Sequence, residues 1–92
     1  MSPLKKIYYS LTEASKITGL EAYVLRYWEV EFPKLKPQKN RAGNRIYAIG
    51  DLKLIMFIKG LLREERLTIG QAQGRVAEFK HENESPQKEL SL

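Results

Sequence analysis

Residues 10–29 read SLTEASKITGLEAYVLRYWE, and this stretch decides the fold. Ser10-Leu11-Thr12-Glu13 fits a capping box, in which the serine oxygen and the glutamate each satisfy a free amide at a helix start. Leu11, Ala14 and Ile17 recur at helical spacing, and Gly19 stops the run. The spacing predicts a first helix of about two turns, which needs tertiary packing to persist. A second helix is predicted over 21–30 and ends ahead of Pro33, because the residue before a proline disfavours helix. On a helical wheel Val24, Leu25 and Trp28 share one face, continued by Phe32. Tyr23, Arg26, Tyr27 and Val30 share the opposite face. Leu25 and Trp28 are therefore expected in the core, and Arg26 and Tyr27 are expected to point away from it.

The next stretch, KLKPQKNRAGNR over 34–45, has five basic residues and no acid. Pro37 and the Ala-Gly-Asn sequence at 42–44 predict a hairpin-like loop. Arg45-Ile46-Tyr47 is expected to be its returning strand, with Ile46 inward and both neighbours outward. A third helix is predicted over 49–65, with Asp51 placed for the dipole of its first turn. Thr68-Ile69-Gly70-Gln71 is a second capping box. It opens a fourth helix marked by Ile69, Ala72, Val76 and Phe79 and ending near Lys80. Residues 1–6 are expected to be a flexible basic lead-in, 7–80 one domain, and 81–92 a polar, disordered tail. The expected class is mainly α: about four helices with a small β-hairpin.

Composition narrows the function. The chain has 92 residues and a net charge of +5. Residues 1–80 hold 15 basic against 8 acidic residues, a net +7. Positive charge concentrated this way suggests a polyanionic partner. There is no cysteine, and the one histidine is His81. Neither a thiolate metal site nor a nucleophile–base pair is in view, so no metal, cofactor or enzymatic role is expected. No apolar run approaches membrane-spanning length, and the N-terminus is too polar for a signal peptide, so a cytoplasmic protein is expected.

Two short helices across a glycine-containing turn suggest a helix-turn-helix, whose second helix enters the major groove. The basic hairpin that follows suggests a winged variant lying on the phosphate backbone. The segments GLEAYVLRYWEVEF, KPQKNRAGNRIYAIGDL and FIKGLLREERLTIGQA, in that order and spacing, resemble the DNA-binding domain of the MerR transcriptional regulators. The resemblance covers about Tyr8 to Phe79. It implies a winged helix-turn-helix that binds double-stranded promoter DNA as a dimer and bends it. It also implies that Arg26 and Tyr27 contact phosphates, that Arg45 and Tyr47 contact DNA from the wing, and that Thr12 and Tyr23 lie near backbone and groove. Lys39, Arg41 and Asn44 of the basic loop complete the expected DNA-binding set.

The chain departs from that pattern in places. Glu21 stands where the family usually has serine, and Tyr23 where a smaller residue is common. Arg66 stands where many relatives have glycine between the third and fourth helices. The long dimerisation helix and effector domain of the family are not found after the fourth helix. Two other functions stay open: an excisionase-like architectural DNA-bending protein, and a protein-interaction module without a nucleic-acid role. Apolar residues nearly surround the third helix, with Leu52 and Ile55 on one stripe and Leu54, Phe57, Ile58 and Leu61 on a second. One small core can hardly cover both. Self-association is therefore expected through a face that includes Leu54, Phe57, Leu61 and Phe79.

Overall fold

In a computed structural model of the chain, residues 7–79 are described. The expected lead-in over 1–6 and tail over 81–92 lie outside them. The elements in order are β1 (Tyr8–Ser10), α1 (Leu11–Thr18), α2 (Ala22–Glu31), β2 (Gln38–Lys39), β3 (Arg45–Ala48), α3 (Ile49–Lys59), a π-helical turn (Gly60–Glu64) and α4 (Ile69–Val76). The three strands form an antiparallel sheet in the order β1-β3-β2. The fold is mainly α with a small hairpin, as the periodicity predicts.

Local chemistry sets most boundaries. At the start of α1, Ser10 Oγ accepts from the Glu13 amide at 3.1 Å, and Glu13 Oε1 accepts from the Ser10 amide at 2.8 Å. Thr68 and Gln71 repeat this exchange at α4, at 3.1 and 3.0 Å. Asp51 accepts from the Ala48 amide at 2.9 Å and closes the start of α3. Gly19 ends α1 at φ +75°, a left-handed conformation that only glycine adopts without penalty. Lys59 of α3 donates to the neighbouring Thr18 carbonyl at 2.8 Å, which ties the end of α1, where the chain turns toward α2, to α3. Glu21 gives α2 no side-chain cap. Phe32, ahead of Pro33, turns extended and ends that helix.

The core joins Leu25, Trp28 and Phe32 of the second helix region to Leu52, Leu54, Ile55, Ile58 and Leu61 of the third, with Ala14, Leu35, Tyr47, Ala72 and Val76 between. Trp28 and Phe32 meet edge to face, 6.3 Å between centroids.

The structure corrects several expectations. Ile17 is exposed, and Thr18 takes the buried place, its hydroxyl donating to the Ala14 carbonyl at 2.8 Å. A buried hydroxyl satisfied by its own helix is cheap, so the polar residue is tolerated there. The third helix is α-helical only to Lys59, then widens into a π turn before Glu65. The fourth stops at Val76, short of Lys80. The second apolar stripe of α3 is largely covered within the chain: Leu54, Ile58 and Leu61 are all buried. The helix packs against α1, β3 and α4 at once, so its all-round apolarity reflects three neighbours. Leu54 and Leu61 therefore cannot form a docking face. Phe57 and Phe79 remain partly exposed and stack on each other at 4.9 Å.

Candidate nucleic-acid interface

The outer face of α2 is the most open part of the helix pair. Tyr23 is 66%, Tyr27 51% and Val30 76% exposed, and Arg26 is exposed beside them. These four fall on the outer arc that helical spacing assigns. Arg26 has no carboxylate partner within salt-bridge range among the described residues. Glu29, one helical turn away, accepts instead from Arg45 and Tyr47. The face thus presents a free guanidinium fork and two phenol groups, which suit phosphate or base edges. Val30 was not among the expected contacts. An exposed β-branched residue at the end of this face is suited to apolar contact with a thymine methyl.

The wing is built by a residue that the composition of its loop did not single out. Asn40 Oδ1 accepts from the amides of both Ala42 and Asn44 at 3.0 Å. The Asn40 amide donates to the Asn44 carbonyl, and the Gly43 amide to the Asn40 carbonyl, each at 2.9 Å. Gly43 completes the turn at φ +87°. With its backbone satisfied inside the turn, the wing leaves the side chains of Lys39, Arg41 and Asn44 exposed. Thr12, exposed on the first turn of α1, lines one cleft with Gly43, Asn44 and Arg45, so helix start and wing border the same space. Lys34 is diverted from this surface: its ammonium donates to the Ala77 carbonyl at 3.3 Å.

The second arginine–tyrosine pair behaves differently from the first. Arg45 Nε donates to both oxygens of Glu29, at 2.8 and 2.9 Å, and the Tyr47 hydroxyl donates to Glu29 Oε2 at 2.8 Å. Tyr47 is wholly buried, whereas Ile46 is only half buried. The expected orientation of β3 is therefore inverted at its tyrosine. Arg45 and Tyr47 share a strand face, and that face turns toward α2 because Glu29 receives both. Burial and the bond to Glu29 push the Tyr47 phenol well above the usual tyrosine range, so it stays a proton donor. The bond to Glu29 also raises the Arg45 guanidinium, which keeps its charge. Glu29 was missed as a site residue. Residue type gave no signal for it: Glu21 and Glu31 are acids on the same segment, and Glu29 is distinguished only by its contacts with Arg45 and Tyr47.

Residues 9–78 match the family model of the MerR HTH family of regulatory proteins. The chain belongs to the MerR family. A relative in Bacillus subtilis strain 168, an uncharacterized HTH-type transcriptional regulator named YyaN, is 32% identical over 53 residues, covering 58% of this chain and 38% of the relative. The crystal structure of HiNmlR, a MerR family regulator lacking the sensor domain, bound to promoter DNA, superposes with a TM-score of 0.66 at 21% identity. That match covers 76% of this chain and 52% of HiNmlR. The chain thus spans about two-fifths of one relative and about half of the other. The structural likeness establishes that this MerR-family chain has the same winged helix-turn-helix fold. Among its described residues no helix is long and apolar enough to cross a membrane, and no cluster of side chains could hold a metal ion.

Proposed function

We propose that this chain is the DNA-binding part of a cytoplasmic transcriptional regulator and reads double-stranded promoter DNA in a sequence-specific way. The observation that carries the reading is the open face of α2, where Arg26 stands exposed, with no ion partner among the described residues, between Tyr23, Tyr27 and Val30. An exposed arginine with no ion partner among the described residues, set beside exposed tyrosines, has a chemistry that fits a duplex. Tyr23, Arg26, Tyr27 and Val30 enter the major groove. Thr12, Lys39, Arg41, Asn44 and the outer end of Arg45 hold the flanking backbone. Tyr47 supports the wing from inside. The protein acts by binding, not by catalysis.

Fluorescence anisotropy with a labelled duplex at several salt concentrations tests the reading. Affinity should fall steeply and linearly on logarithmic axes as salt rises, and Arg26→Ala should weaken binding. Selection from random duplexes should yield a defined motif, and a two-fold symmetric one indicates two copies on the DNA. No binding at low salt refutes the proposal. Binding without any selected motif replaces it with an architectural role.

A further inference from the structure

A glutamate between the exposed face of α2 and the basic wing needs a reason. A carboxylate near phosphates repels them, and a half-exposed one is easily replaced. Glu29 is neither exposed nor idle. Its side chain is only 15% accessible, and it sits between the two elements that the proposed function assigns to the groove and to the backbone. It accepts bonds from both ends of the Arg45-x-Tyr47 pair, 16 and 18 residues away along the chain.

The geometry of Arg45 is the informative part. Both carboxylate oxygens are held by a single nitrogen, Nε. A guanidinium carries five N–H donors, four of them on the two terminal nitrogens. No other bond of Arg45 is found among the described residues, and its side chain keeps 31% of its surface open. An arginine held by its stem has lost most of the freedom it would otherwise give up on meeting a phosphate.

We propose that Glu29 is a positioning residue for DNA binding: it clamps the stem of Arg45 and the hydroxyl of Tyr47, fixes the wing against α2, and leaves the terminal nitrogens of Arg45 as the phosphate-contacting end. The proposal rests on the DNA-binding reading above. It makes an acidic residue necessary for binding an acidic polymer. The guanidinium bridges two anions, Glu29 on its inner edge and a phosphate on its outer edge. A lysine ammonium is a single point and cannot hold both in plane.

The test is a salt series on a short duplex of arbitrary fixed sequence with the parent chain, E29Q, R45Q and the E29Q/R45Q double variant. Each phosphate contact contributes about 0.9 to the slope of log affinity against log salt. E29Q should lower the slope by about that amount although it removes a negative charge, and R45Q should lower it equally. The double variant should lose no more than either single one, because the two residues act as one contact. E29Q with the parent's slope, or a double variant that loses the sum, overturns the proposal. Where E29Q proves unfolded by circular dichroism, Arg45→Lys carries the same test: the slope should fall although the charge is kept, and an unchanged slope overturns the proposal. Parent binding weakened by Arg26→Ala but indifferent to E29Q refutes only this inference. A parent that binds no duplex refutes the DNA-binding reading and this inference with it.

Discussion

The molecule carries two arginine–tyrosine pairs, Arg26-Tyr27 on α2 and Arg45-x-Tyr47 on β3. Their residue types are the same and their physical states are opposite. Tyr27 is half exposed and Arg26 has no ion partner among the described residues, whereas Tyr47 is buried and Arg45 is held by Glu29. The cause is periodicity. Neighbouring residues on a helix lie about 100° apart and can share an outer arc, while residues two apart on a strand share one face. That face of β3 meets α2, where a single carboxylate collects both side chains. The first pair is therefore free to bind something else. The second joins the wing to α2. A motif does not state which of these roles it fills; the secondary structure beneath it does.

The largest contrast should appear on truncation. Tyr47→Ala removes a fully buried ring and should cost about 3–5 kcal/mol of stability, a large share of what a domain of this size has. Tyr27→Ala removes an exposed ring and should change stability by no more than about 0.5 kcal/mol, while weakening DNA binding. Urea melts of the two variants beside the parent check this. Equal destabilisation would erase the distinction between the pairs.

Removing only the hydroxyl sharpens the same contrast. Tyr47→Phe keeps the packing and withdraws one donor from Glu29, a cost of about 1–3 kcal/mol for a group left partly unsatisfied. Tyr27→Phe should leave the melting temperature unchanged. DNA affinity should respond in the opposite order, since the Tyr27 hydroxyl faces outward and the Tyr47 hydroxyl does not.

The buried phenol also predicts a dependence on pH. Burial and the bond to Glu29 hold the Tyr47 phenol neutral in the fold, whereas in the unfolded chain it ionises near pH 10. The unfolded state therefore releases a proton that the folded state keeps. The stabilisation is complete below about pH 10 and is lost above it, by up to about 1.4 kcal/mol per pH unit from this group. Melts of the parent between pH 9 and 12 should fall more steeply than those of Tyr47→Phe. Parallel curves would show that this phenol titrates alike in both states.

What the sequence showed and what it hid follow the same division. Ser10–Glu13, Thr68–Gln71 and Asp51 were legible because a capping bond is closed by residues within one turn of each other. Leu25, Trp28 and Phe32 were legible because the helical period has only one core-facing phase. Arg45-Ile46-Tyr47 could be read in either phase. Three residues hold too little alternation to decide, and the deciding partner, Glu29, lies in another element. The apolarity of α3 was visible but assigned to a partner chain, because its neighbours α1, β3 and α4 could not be placed around it from spacing alone. Of the expected interface, the exposed face of α2 and the basic loop stand where they were expected. The support beneath them, Glu29 and Asn40, depended on contacts or turn geometry that residue types did not reveal.

A third arginine gives the smallest effect and a control for the other two. Arg66 lies between the π turn and α4 at φ +60°, the one non-glycine residue with a positive φ among those described. The Leu67 amide reaches back to the Leu61 carbonyl at 3.0 Å, a wide form of the closure in which helices end on a left-handed residue. That conformation costs an ordinary side chain about 1–2 kcal/mol, and glycine gives back part of the gain through its freer unfolded state. Arg66→Gly should therefore raise stability by about 1 kcal/mol or less. The substitution should leave the α2 face and the Glu29 clamp untouched. Comparing its melting temperature with its salt slope separates two uses of arginine in one variant. A higher melting temperature with the parent's slope would make Arg66 a conformational burden without a contact. A higher melting temperature with a slope reduced by about 0.9 would show that backbone strain here is retained to hold a phosphate.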